Sequence, residues 1–434
     1  LQSRIARIIP HGKCGVPAVF ESWPGTAFRK SDEGSRMMKS DNDVVITGVG
    51  IVTCHGVGKD AHIALLSSTT TPEAIVETEK FAPYPIHPLP EIDWSAQIGR
   101  KDQRQMENWQ RLGVFAAGLA LDDAGLKEDA DACGTMDMIV AAGGGERDIN
   151  VDTLIVDEGL KRNDREVMLN EKLTTELRPT LFLAQLSNLM AGNISIVHKV
   201  TGSSRTFMGE EGAGISAVET AFYRIRSGES SHALVGGAFA AERPDMTLLF
   251  EAVGAHAQGG WQPLWSRTRG EGGGMITGSV GAFLVLESRK RAEARGAKIY
   301  ARIDAIEGDR GNRNDGKLEA RLERLLAPAK DAAETVVFSG ASGYDGLTSR
   351  EKDILEKTLP HAAIRGFGGV TGHGLEAQFP LGLALAALAL ESGATVPAFD
   401  SAVEKPMAAA ATEAVVTTVG HVRGEGVAVL SKDA

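Results

Sequence analysis

Between residues 375 and 390 the chain reads LEAQFPLGLALAALAL, a helix-length run that is apolar on nearly every side. A helix of that kind has to be covered on all its faces. Its uninterrupted stretch, residues 381–390, is far shorter than the ~18 apolar residues of a membrane span. It therefore belongs inside a layered protein, with other elements packed on both sides of it.

The remaining sequence supplies the layers. Residues 44–50 (VVITGVG), 138–142, 233–237 and 282–287 read as short apolar strands, several of them running into glycines. Helices are expected over 56–67, 101–126 and 209–228, and much of 150–200 reads as helical with a break at Pro179. In 209–228 the small residues Ala213, Ala217 and Ala221 recur every four positions, which lets another backbone approach that face. The polar stretch 290–296 reads as a surface linker. After it come a strand over 299–306, a helix over 316–331, a strand over 335–338, the apolar helix, and closing strands over 415–419 and 427–430. The 51 glycines among 434 residues exceed the usual ~7 % and sit mostly between apolar runs, as tight strand-to-helix turns require. Alternating strands and helices indicate an α/β protein, and its two halves share one rhythm.

A formal charge of -11 offers no basic face for nucleic acid. A small basic patch facing an acidic carrier protein is compatible with it; Arg147, Arg205, Arg224 and Arg226 read mostly as solvated charges, with a few of them the candidates for such a patch. The cysteines are Cys14, Cys54 and Cys133, without CxxC spacing, so a reducing, cytoplasmic setting without disulfides is expected. Residues 1–42 have no clean period and no apolar signal core, and are expected to form an arm outside the fold. Residues 43–290 and 291–434 are expected to form the two halves. The glycine runs 143–145 and 272–274 lack a phosphate-binding pattern, and the histidines lack metal-ligand spacing, so neither cofactor nor metal is expected.

Several segments, taken in order, resemble the β-ketoacyl synthase branch of the thiolase superfamily. They are VVITGVGIVT (44–53), KDQRQMENWQRLGVFAAGLALDDAGL (101–126), NLMAGNISIVHKVTG (188–202), RIRSGESSHALVGGAF (224–239), SVGAFLVLESRKRAEARGAKIYARI (279–303) and VTGHGLEAQFPLGLALAAL (370–388). The resemblance implies the thiolase fold, with two similar halves forming a five-layer α-β-α-β-α sandwich. It also implies a setting in fatty-acid or polyketide assembly with acyl carrier protein, and a homodimer or a heterodimer with an active ketosynthase.

That family uses a cysteine at a helix N-terminus, where the thiol pKa is lowered, to carry an acyl group as a thioester. Two histidines then stabilise the enolate formed from malonyl carrier protein. The resemblance aligns the nucleophile with Glu211, in FMGEEG (207–212), and no cysteine occurs from 134 to 434. It aligns the first histidine with Gly340, the lysine with Gly368, the gating phenylalanine with His421 and an acidic residue with Ser279. The nearest histidine to Gly340, His361, follows Pro360 and is expected on the surface. Only His373, in the sequence TGH, is retained. Met208 and His421 are the implied substrate-lining positions.

A glutamate is a poor nucleophile toward a thioester. Glu211 reads most simply as a helix-end charge, favoured by ~0.3–1 kcal/mol. The sharper alternative is an imitation of the acylated cysteine that leaves a decarboxylation site, as family members with glutamine there do. His373 reads either as a packing histidine or as a surviving carbonyl donor. Losses at coupled positions point to relaxed chemistry. Three functions compete: a chain-length-factor-like subunit paired with an active ketosynthase, a malonyl decarboxylase or acyltransferase using His373, and a condensing enzyme with a displaced nucleophile such as Cys54.

Overall fold

The computed structural model describes residues 39–433, apart from residues 180, 258, 268–273 and 345. Most of the expected N-terminal arm and part of the 272–274 glycine run lie outside the described residues. The strands are β1 (Val44–Thr53), β2 (Gly56–Val57), β3 (Asp137–Ala142), β4 (Ser204–Met208), β5 (His232–Phe239) and β6 (Val280–Ser288) in the first part of the chain. They continue with β7 (Ala301–Asp309), β8 (Thr335–Ser339), β9 (Ala363–Gly366), β10 (Glu413–Val419) and β11 (Glu425–Ser431).

One sheet contains them in the order β4-β3-β5-β6-β1-β7-β11-β10-β8-β9, with β2 on β1. From the β4 edge, β4, β3 and β5 run parallel, and β6 and β1 follow antiparallel. From the β9 edge, β9, β8 and β10 run parallel, and β11 and β7 follow antiparallel. The same plan is thus used twice, and the two copies meet where β1 pairs with β7 between Val44↔Ile303 and Ile46↔Ala301. This is the duplicated α/β architecture of the thiolase fold.

Strands β1, β3, β5, β6, β8 and β10 are buried at every position, so both faces of the sheet are covered. The apolar helix, Gln378–Ser392, is buried from Gln378 to Leu390. It shares one core with the central helix, Glu211–Arg226, whose Ala213, Ala217 and Ala221 all lie inside. At Gly214 the two segments nearly touch: a Cβ there would lie 2.4 Å from the Glu376 carbonyl oxygen. That approach brings the start of the central helix against residues 373–378.

Three sequence expectations need correction. The helix expected over 101–126 is two helices, Arg100–Gln103 and Asn108–Asp123. Glu107 and Gln110 form a capping box that restarts the second one. The linker over 290–296 is a helix, Arg289–Ala294, whose first turn is capped by Ser288 accepting from the Arg291 N–H. Its Arg291 pairs with the buried carboxylate of Glu287, which a polar linker pattern does not reveal. The helix expected over 316–331 stops at Leu326, two residues before Pro328, which cannot continue a helix.

Candidate functional site

Three elements deliver three side chains to one point. Glu211 is the first residue of the central helix, directly after β4 and a glycine turn with Gly209 at φ 139°. His373 sits in the turn between the short helix Gly368–Thr371 and the apolar helix. Its backbone is pinned on both sides, its N–H donating to the Ile276 carbonyl at 2.8 Å and its carbonyl accepting from the Gly278 N–H at 3.0 Å. His421 lies in the turn joining β10 and β11, closed by the Gly420 N–H donating to the Gly424 carbonyl at 2.8 Å.

All three donors converge on a single carboxylate oxygen. His373 Nε2 donates to Glu211 Oε1 at 2.7 Å, His421 Nδ1 donates at 2.9 Å, and the His421 backbone N–H donates at 3.1 Å. A carboxylate only accepts, so both facing ring nitrogens carry hydrogens. Glu211 Oε2 is buried and has no partner among the described residues. Burial favours the neutral acid, but the hydrogen bonds from His373 and His421 outweigh it and hold the Glu211 carboxyl well below the usual range. Burial opposes the His421 imidazolium, and the Glu211 carboxylate outweighs that too, raising the His421 pKa. The His421 ring also meets Phe250 edge-on at 5.7 Å, and its Nε2 lies 3.8 Å from Glu210 Oε1.

Gly340 and Gly368 form a different corner. A Cβ at Gly340 would lie 2.6 Å from Thr418 Oγ1 and 2.8 Å from the Thr417 carbonyl oxygen, so the position has no room for an imidazole. A Cβ at Gly368 would lie 2.9 Å from the Ala341 carbonyl oxygen. Gln378 ties this corner to the His373 turn: its Nε2 donates to the Gly340 carbonyl at 3.4 Å and its Oε1 accepts from the Gly374 N–H at 2.7 Å.

Met208 is not brought to the cluster; its side chain is 73 % exposed at the end of edge strand β4. Ser279 is buried and accepts from the Ala241 N–H at 3.0 Å, and His361 is an exposed partner of Asp331. Cys54 is buried, donates to the Val370 carbonyl at 3.3 Å, and its thiol is pushed up to about 12 by burial, so it is no thiolate at neutral pH. Cys133 is buried as well and donates to the Leu126 carbonyl.

Two neighbours escaped the sequence reading. Glu376 is buried, accepts from the Gly143 N–H at 2.9 Å, and is pushed up to about 8 by burial. Gln378 is fully buried. A signal for both existed: they are the polar interruptions of an otherwise apolar run, and a buried polar group needs a partner. Histidine spacing, in turn, gave no hint of a cluster that the fold assembles from distant positions.

A duplicated thiolase-type fold with a helix-start residue facing a histidine turn defines a ketosynthase-like protein. The chain belongs to the β-ketoacyl synthase family: residues 41–292 match "Beta-ketoacyl synthase, N-terminal domain". It is 28 % identical to the tetracenomycin polyketide synthase ketoacyl synthase beta subunit of Streptomyces glaucescens, over 75 % of this chain and 80 % of that one. It is 25 % identical to 3-oxoacyl-[acyl-carrier-protein] synthase 2 of Vibrio harveyi, over 61 % of this chain and 62 % of that one. Among solved structures, the ishigamide ketosynthase/chain length factor superposes with a TM-score of 0.71 at 21 % identity, covering 90 % of this chain and 99 % of that one. That likeness establishes the shared fold. No helix among the described residues is long and apolar enough to cross a membrane.

Proposed function

We propose that this chain is a chain-length-factor-like subunit in fatty-acid or polyketide assembly, without condensing activity of its own. It pairs with an active ketosynthase and works with that enzyme's acyl carrier protein. The observation that carries this reading is the Glu211 carboxylate, buried at the helix start and held by His373 and His421 where the family forms its thioester. A carboxylate so held is a weak nucleophile, and the His373 nitrogen facing it is already engaged. Gly340 provides no second donor, which weighs against a decarboxylase, and the protonated thiol of Cys54 weighs against a displaced nucleophile. In this reading His421 holds the Glu211 carboxylate rather than reacting, and Met208 projects from the edge strand away from that cluster.

The test uses the purified chain with malonyl- and acyl-loaded carrier protein, followed by intact-mass spectrometry. Neither carrier species is expected to change over hours, and a tagged chain is expected to retain a ketosynthase co-expressed with it. Formation of acetyl carrier protein, or of an acylated chain, overturns the proposal.

A further inference from the structure

We propose that Glu211, His373 and His421 form a three-ligand site for a divalent transition-metal ion of the zinc class. The site is independent of whether the chain condenses anything. One ligand atom from each residue lies within 4.8 Å of the others, and all three residues are buried. The ligands come from three separately braced elements: a helix start, a turn hydrogen-bonded on both sides, and a closed hairpin turn. Such bracing holds a donor set in place before the ion arrives.

The donor chemistry selects the ion. Two imidazole nitrogens and one carboxylate are a borderline set that suits zinc, cobalt or ferrous iron, whereas calcium and magnesium prefer oxygen donors throughout. The present N–O separations, 2.7 and 2.9 Å, are hydrogen-bond distances. With bonds of ~2.0–2.1 Å a tetrahedral edge is about 3.3 Å, so each separation has to widen by a few tenths of an ångström. With the backbone of each element braced, that widening falls to small side-chain adjustments, and Val422, next to His421 in the hairpin turn, is 60 % exposed.

Two further observations point to a ligand. Glu211 Oε2 is buried and unpaired while three donors crowd Oε1, so half of the carboxylate's bonding capacity is unused. When an ion takes His421 Nδ1 and His373 Nε2, the hydrogens on those atoms shift to the far ring nitrogens or leave to solvent. On His373 the far nitrogen is the buried Nδ1, unpaired among the described residues; on His421 it is Nε2, which lies 3.8 Å from Glu210 Oε1. A carboxylate behind a ligating imidazole is the usual support of a bound metal. Three protein ligands leave a fourth position for water or another small donor.

The experiment titrates the chelator-treated full chain with cobalt(II), reading visible ligand-field absorption, and then displaces cobalt with zinc. One equivalent is expected, with the intensity of a four-coordinate site, and magnesium is expected not to compete. Glu211→Gln and His421→Gln, both close in bulk to the native residues, are expected to weaken uptake by more than the roughly 10–100-fold that losing a supporting residue costs. Zinc-edge X-ray absorption of the unaltered protein needs no variant, and is expected to read two imidazoles and one carboxylate. No stoichiometric uptake, uptake indifferent to both substitutions, or an oxygen-only shell overturns the site.

Discussion

Glu211 and Glu376 are both buried glutamates, at 0 % and 4 % exposure, yet their acidities move in opposite directions. Burial raises both. Glu211 receives two imidazole N–H groups and a backbone N–H, which more than offset the lost water. Glu376 receives the single backbone N–H of Gly143 from outside its own segment, and burial wins, to about 8. Glu351 is a third case: Ser339 and Thr417 hydroxyls donate to it at 2.7 and 2.6 Å, and burial still raises its pKa. The number and kind of donors, rather than depth, decide whether a buried carboxyl in this core is an anion.

The largest expected effect comes from making Glu211 resemble Glu376. His373→Ala removes one donor from a buried anion and is expected to cost about 3–5 kcal/mol in denaturant unfolding at neutral pH. A loss below about 1 kcal/mol would mean that the histidines do not sustain the charge. Next is Glu376→Gln. Between pH 4.5 and about 8 the folded chain keeps a proton on Glu376 that the unfolded chain has released, so stability falls as pH rises across that window. The glutamine variant is expected to flatten that fall, gaining about 1–3 kcal/mol above it in pH-dependent melts. Glu211 acts oppositely: its stabilisation is present above 4.5 and is lost as pH falls toward its depressed folded value.

Thr417→Val tests the third case. Removing one hydroxyl from Glu351 is expected to cost roughly 1 kcal/mol and to raise that carboxyl's pKa further, read by carboxyl-selective NMR titration. The smallest effect is expected at the surface. His361→Ala breaks an exposed pair with Asp331 and is expected to change unfolding by about 0–1 kcal/mol, the baseline for the other three.

Much of the fold was legible because local pattern is enough to define elements. Most of the strands and helices, the small-residue face of the central helix and the buried apolar helix followed from periodicity, whereas β4, β9 and the helix Leu347–Thr358 were not read from it. Misreadings arose where a distant partner or a cap overrode it, as with the helix whose Arg291 pairs with Glu287 and the capping box at Glu107. At the site, Glu211, His373, Gly340, Gly368 and His421 were picked out by resemblance, position by position. The hydrogen bonds joining Glu211 to His373 and His421 were not legible, because 162 and 210 residues separate the partners.

The sequence by itself determined that a helix apolar all round would sit between layers, and that no cysteine after Cys133 was available as a nucleophile. Both are properties of composition and short-range order, which survive without knowledge of chain path. The tertiary structure alone decided that Glu211 would be an anion and Glu376 a neutral acid. Each glutamate carries the same side chain, and its charge depends on which distant donors the sheet order brings within 3 Å or so.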